Sequence, residues 1–259
     1  METSQEQTIK LKDISVNYKI AGQGPVILIL HGWGSSSDSW FGVQEILVGK
    51  GFCVIVPDLP GFGKTQAPAT VWGVGEYAEF IHEFARKLGL EKFVLIGHSF
   101  GGQTAIQFAV EHPEKTEKLV LVAAAGVRRT PGVFKKLVAA AAKLVSFLLY
   151  LVPSQDLRNN IKHAIYMAIR RRDYVRTQGI MRDVFKLVIT QDLTAKFSKI
   201  SVPTLIIWGD KDELTPVQDA YLMHELIRNS KLEIIGGGKH ALNFQMPDKL
   251  SEVIWSWLS

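Results

Sequence analysis

The sequence predicts an α/β fold: a mostly parallel central sheet flanked by helices, with a helical insert placed after the sixth strand. Three observations carry that expectation. Short apolar, β-branched runs recur, separated by stretches of helical periodicity, as in a sheet whose strands are covered on both faces. A serine stands between two glycines where one such run gives way to a helix. Between residues 127 and 200 the strand-like runs stop, so 1–126 and 201–259 read as one core and 127–200 as an insert.

In chain order, Ile9 to Ile20 alternates apolar and polar residues and reads as one or two exposed-edge strands. Gly22-Gln23-Gly24-Pro25 is a turn. Val26 to Leu30 suits a doubly covered strand and ends in His31-Gly32-Trp33-Gly34 and a serine-rich loop. A helix over about 44–50 leads to the apolar run Cys53 to Val56, which ends at Asp58-Leu59-Pro60-Gly61-Phe62-Gly63. A helix over 76–88 leads to Phe93-Val94-Leu95-Ile96, then Gly97-His98-Ser99-Phe100-Gly101, then a helix from Gln103. Leu119 to Val122 is the next strand. The insert holds helical stretches over roughly 131–151, 155–171 and 173–189. A strand over 204–208, a helix over 216–228, a strand over 232–235 and a helix over 247–258 complete the pattern.

With 259 residues, 47% of them hydrophobic, the chain can bury one large core and carry an insertion. Its polar, acidic start has no signal-peptide pattern. Its single cysteine, Cys53, has no internal partner and reads as a buried strand thiol. Both facts suit a cytoplasmic protein. The net charge of +5 is unevenly placed: residues 127–200 hold 15 Lys/Arg against 4 Asp/Glu, a net of +11, and the remainder is −6. Such an excess suits an anionic partner or surface, or simply a solvated basic face.

Two tempting motifs fail. Gly63-Lys64-Thr65 ends a phosphate-loop pattern whose first glycine is replaced by Asp58. His82-Glu83 opens a zinc-protease pattern whose second histidine is replaced by Arg86, which leaves His82 on the exposed face of its helix. No nucleotide, metal, organic cofactor or nucleic-acid partner is implied.

The serine motif is more specific. With 22 glycines in the chain, chance supplies roughly 0.1 Gly-x-Ser-x-Gly matches before the strand and helix are required. A serine hydroxyl needs a base, and the base needs an acid to orient it. In open parallel sheets such partners sit just past strand ends. Asp210 and Asp212 follow one strand, and His240 follows the next, giving the order Ser99, Asp212, His240.

With these motifs, the chain resembles the α/β-hydrolase family, specifically its small capped serine hydrolases of carboxylesterase type. The resemblance runs along essentially the whole sequence, from His31-Gly32-Trp33-Gly34 to His240. It implies Ser99 as nucleophile, His240 as base and Asp212, third after the glycine, as acid, with Asp210 the rival. It implies the amides of Trp33 and Phe100 as the oxyanion hole, with both aromatic rings lining the substrate pocket. It assigns His31 to ordering the oxyanion loop, and His98 reads as a packing residue. His112, His163 and His224 have no supporting neighbours in the sequence. Gln245 stands where the family often has a carboxylate.

A serine nucleophile makes carboxylic ester hydrolysis the default activity, with lactone opening, carbon–carbon bond hydrolysis and cofactor-free perhydrolysis as competitors on the same triad. A triad-bearing small-molecule receptor is the reading from another class. The insert then becomes a cap. Its stretch from Val133 to Val152 is strongly apolar and suits a roof over a hydrophobic pocket, with a dimer contact or a membrane surface as the alternatives. The expected partner is a small hydrophobic ester. Oligomeric state is not legible.

Overall fold

The structure is a computed structural model that describes residues 4–128 and 179–259. Eight strands form one sheet: β1 (Gln5–Leu11), β2 (Ile14–Ala21), β3 (Val26–Leu30), β4 (Cys53–Pro57), β5 (Phe93–His98), β6 (Thr116–Val122), β7 (Thr204–Gly209) and β8 (Ser230–Ile235). Their spatial order is β1-β2-β4-β3-β5-β6-β7-β8. The first two strands pair as an antiparallel hairpin, and β2 meets β4 antiparallel; every other pairing is parallel. The alternating stretch from Ile9 to Ile20 is thus two strands, and the mostly parallel sheet is as the sequence foretells.

Period-two alternation divides the core between the two faces of the sheet. Ile27 and Ile29 of β3, Val54 and Val56 of β4, and Val94 and Ile96 of β5 face one side. There they meet Trp40, then Val43 and Leu47 of α1 (Phe41–Gly49). Leu250 and Ile254 of the C-terminal helix Pro247–Leu258 join them. Leu28, Leu30, Leu95, Leu119, Leu121 and Trp208 face the other side. There they meet α2 (Val74–Lys87) and α3 (Phe100–Glu111). Each side chain in these strand lists is essentially without solvent contact, so each contributes close to its full transfer value, about 1.5–3 kcal/mol for a Val, Leu, Ile or Phe.

Four more helices complete the described chain: α4 (Ile180–Val188), α5 (Thr194–Phe197), α6 (Val217–Leu226) and α7 (Leu242–Gln245). The C-terminal helix is α8. Of the three helical stretches expected in the insert, α4 falls within the third. The stretches over 131–151 and 155–171, with His163, lie outside the described residues. The insertion follows β6, the sixth strand, as expected.

Three local expectations change. The first helix begins at Phe41, because a 3-10 turn over Ser37–Trp40 runs straight into it. Cys53 is half-buried rather than enclosed, because it opens its strand. His82 is not on an exposed face: it is half-buried, and its ring stacks on His112 at 4.0 Å and 15°. His112 therefore has a neighbour that the sequence could not show, since His82 lies on α2 and His112 just past the end of α3.

Backbones approach closely where α3 crosses β3. A methyl on Gly101 would lie 2.2 Å from the Leu30 carbonyl oxygen and 2.6 Å from that of His31. Gly101→Ala is therefore expected to lose about 1–3 kcal/mol through overpacking. Gly75→Ala, whose added methyl meets nothing within 4 Å, is expected to change stability by less than about 1 kcal/mol, in the favourable direction. Urea denaturation midpoints of the two variants check the contrast.

Candidate active site

The site stands where strands end. β5 delivers His98 and Ser99, and α3 begins at Phe100 without a loop between. The turn is so abrupt that Ser99 takes φ 53 and ψ −116, a region that non-glycine residues avoid. Three backbone hydrogen bonds hold it there. The Ser99 amide donates to the Val122 carbonyl at 3.1 Å, and the Ser99 carbonyl accepts from the amides of Gln103 at 3.0 Å and Ala125 at 2.9 Å.

His240 arrives from the loop after β8, and Asp212 from the loop after β7. His240 Nε2 lies 3.0 Å from Ser99 Oγ, and its Nδ1 lies 2.8 Å from Asp212 Oδ2. The carboxylate fixes the tautomer: Nδ1–H donates to it, which leaves Nε2 as an acceptor for the serine hydroxyl. Asp212 is itself fully engaged. Its Oδ1 accepts from the amides of Leu214 at 2.8 Å and Thr215 at 3.0 Å, and its Oδ2 also accepts from the Thr215 hydroxyl at 2.8 Å. Burial pulls its pKa upward, yet the hydrogen bond and charge of His240, with the two Thr215 bonds, outweigh burial and hold it below the ordinary value.

The three residues named from chain order thus meet within hydrogen-bonding reach across separations of 141 and 28 positions. Asp210, the rival acid, goes elsewhere: its Oδ1 accepts from the Gly237 amide at 2.7 Å and braces the glycine loop before His240. Gln245 is exposed at the end of α7.

Trp33 and Phe100 also come together, with ring centroids 5.3 Å apart and nearly perpendicular. Among the described residues, neither backbone amide donates to a protein acceptor. His31 secures this loop. Its Nδ1–H donates to the Gly32 carbonyl at 2.8 Å, and its Nε2 accepts from the Leu59 amide at 2.9 Å. Burial, above all, lowers its pKa and keeps it neutral.

The sequence did not reveal Asp58 as a hub, although it flagged the position as a failed phosphate loop. Its buried carboxylate accepts from the Ser37 amide at 2.7 Å, the Lys64 amide at 2.9 Å and Asn17 Nδ2 at 3.0 Å. It ties the loop after Trp33 to the loop after β4. Nor did the sequence reveal Thr215, which touches both Asp212 and His240, its hydroxyl 3.2 Å from His240 Nδ1.

Ser99 and His240 open into a cleft of about 600 Å3, with the Asp212 side chain buried behind them. Trp33, Phe100, Phe185, Val188 and Leu214 give it apolar walls, and Ser35, Ser39 and Asn243 also line it. Phe185, on α4, lies 4.9 Å from Trp33 by ring centroid. Gln103 anchors α4 to α3 by donating from Nε2 to the carbonyls of Val188 at 3.1 Å and Gln191 at 3.2 Å. Among the described residues no three His, Cys, Asp or Glu side chains cluster as metal ligands would. Among the same residues no helix is long and apolar enough to cross a membrane.

Such a sheet, with serine, histidine and aspartate converging above its strand ends, defines an α/β-hydrolase. The model of the alpha/beta hydrolase fold family matches residues 25–247, and the chain belongs to that family. It is 28% identical to human monoacylglycerol lipase ABHD6, over 92% of this chain and 76% of that one. It is 26% identical to the 2-hydroxy-6-oxo-6-phenylhexa-2,4-dienoate hydrolase of Comamonas testosteroni, over 99% and 96%. Among solved structures, a membrane phospholipase A described as a bacterial virulence factor superposes with a TM-score of 0.77 at 25% identity, over 98% of this chain and 86% of that one.

Burial gives the site a pH-dependent cost. His98 is buried, and burial first, then the nearby His240, lower its pKa to about 3. A native pKa below the unfolded value means that the unfolded chain binds the extra proton between these pKa values. The neutral native form is therefore favoured above the unfolded histidine pKa, and stability falls as the pH drops from there toward 3. In wild type this group therefore makes stability fall as the pH drops from 6 to 4. His98→Gln is expected to remove that contribution, read from denaturation midpoints across the same range.

Proposed function

We propose that the chain is a serine hydrolase that cleaves carboxylic esters of hydrophobic small molecules through an acyl-enzyme intermediate. The observation that carries this reading is the pair of distances about one ring: His240 within 3.0 Å of the Ser99 hydroxyl and within 2.8 Å of the Asp212 carboxylate. Membership of a hydrolase family that includes a monoacylglycerol lipase supports it.

In this mechanism Ser99 Oγ attacks the ester carbonyl while His240 Nε2 takes its proton. The carbonyl oxygen becomes an oxyanion, held by the amides of Trp33 and Phe100. The tetrahedral intermediate collapses, the carbon–oxygen bond breaks, and the leaving alkoxide takes the proton from His240. Water then enters, gives a proton to His240 and attacks the acyl carbon. Collapse of the second intermediate returns that proton to Ser99 and releases the acid. Asp212 stabilises the imidazolium at both stages.

The apolar walls of the cleft support a hydrophobic substrate. Val127, the first residue of the insert, and Phe185, Val188, Ile189 and Gln191, near its end, line the same cleft. That placement supports residues 127–200 as a cap and 1–126 with 201–259 as the catalytic core. The lone Cys53 suits work in the cytoplasm.

A second reading rests on the near end-to-end match to the Comamonas dienoate hydrolase. There the same serine would cut a carbon–carbon bond instead of an ester. Turnover of a yellow dienoic acid with no turnover of simple esters would select it.

Ser99→Ala is expected to abolish burst release from an activated aryl ester and to lower kcat by at least about 10³-fold. Retained turnover would remove the assignment. Phe185→Ala is expected to raise KM for octanoyl esters about tenfold, with little change for acetyl esters, because a longer acyl chain buries more area against the apolar wall it removes. Steady-state kinetics on a series of acyl lengths with one leaving group provide the check.

A further inference from the structure

We infer that His98 is a positioning residue: its ring N–H at Nε2 grips the backbone carbonyl of His240, 2.9 Å away, and sets the base relative to the nucleophile. The inference rests on the ester-hydrolase reading of the same site. His98 itself touches no reacting atom.

The need for such a grip follows from the chain. His240 ends a loop that begins with Gly236, Gly237 and Gly238, the type of residue that loses most conformational freedom on ordering. Asp212 fixes the His240 ring at Nδ1, but that bond acts on the side chain alone. The bond from His98 acts on the backbone of the same residue. Its donor is also the most rigid one available, because His98 closes β5 in register with Val122 and precedes Ser99 directly. One hydrogen bond therefore joins the residue before the nucleophile to the residue that carries the base.

The imidazole reaches further still. Its centroid lies 4.9 Å from that of His240 and 6.4 Å from that of Trp40. On its other edge, a methyl on Gly32 would stand 2.8 Å from His98 Nδ1, so the turn before Trp33 rests on this ring. Elbow, oxyanion turn and base loop all meet at one side chain that is 7% exposed. A leucine or methionine would fill much of the same space. Neither would offer a donor to the His240 carbonyl.

Protonation is consistent with the role. The ionisable groups facing the ring are His240 from the loop after β8, Asp212 from the loop after β7 and His31 from the end of β3. Burial and the two histidines disfavour charge on His98, and only Asp212 and the carbonyl favour it. The ring stays neutral at working pH, so it adds no second cation beside His240 when that residue takes the serine proton.

The test compares His98→Gln with His98→Met. The two side chains are similar in length, and only glutamine brings an N–H. Rates on an activated short-chain ester are divided by the active-site concentration, titrated with a fluorophosphonate that labels Ser99. The methionine variant is expected to lose roughly 10–100-fold in kcat with KM within about twofold, as a small misplacement of a catalytic group does. The glutamine variant is expected to stay within about threefold. Equal losses in both, or no loss with methionine, would overturn the inference and leave the hydrolase reading intact. A wild-type protein that neither labels nor turns over ester would sink both.

A measurement on wild type covers the case in which the variants do not fold. The ¹⁵N spectrum of the histidine rings is expected to show His98 as the neutral Nε2–H tautomer from pH 8 down to pH 5. An Nδ1–H tautomer, or titration within that range, would overturn the inference.

Discussion

Ser99 sits in a backbone conformation that an L-residue adopts only when its surroundings compel it. The compulsion comes from the neighbouring backbone: the Val122 carbonyl takes its amide, and the amides of Gln103 and Ala125 take its carbonyl. These partners belong to β6, to α3 and to the chain just after β6. The strain is thus carried by the junction of three elements. The result is a hydroxyl held 3.0 Å from His240 Nε2 at the end of β5. Every other part of the site is arranged around this fixed point.

The partners are held by successive layers of hydrogen bonds. His240 is oriented by Asp212, Asp212 by the amides of Leu214 and Thr215, and the Thr215 carbonyl by Trp208 Nε1 at 2.7 Å. Trp208 is buried in β7, so the outermost link ends in the core. The loop bearing Trp33 is held in the same manner by His31 and Asp58, whose partners include Leu59, Ser37, Lys64 and Asn17. These loops past strand ends acquire fixed geometry because the buried side chains of Asp212, His31 and Asp58 are hydrogen-bonded within them. The aromatic cluster of Trp33, Phe62, Phe100 and Tyr77 then gives the turn at Gly32-Trp33 an apolar base.

Much of this was legible beforehand because the signals are local. The strands Val26–Leu30 and Phe93–His98 announce themselves as β-branched runs, and their two-sided burial follows from the absence of polar alternation. Gly97, Ser99 and Gly101 announce the turn because little else fits it. Asp212 was preferred to Asp210 through the family resemblance. Contacts between distant elements were not legible. The stacking of His82 on His112, the bridge of Thr215 and the gathering of amides at Asp58 each depend on where a helix or loop crosses another.

The sequence by itself determined the fold class, the strand-to-helix elbow, and the order in which Ser99, Asp212 and His240 appear, since periodicity and glycine placement are properties of adjacent residues. Only the tertiary structure decided that Asp212 faces His240 while Asp210 braces Gly237, and that His98 reaches the His240 backbone. Those choices turn on distances of a few ångströms between loops from separate strands, and such distances are fixed by packing and hydrogen-bond satisfaction across the whole sheet.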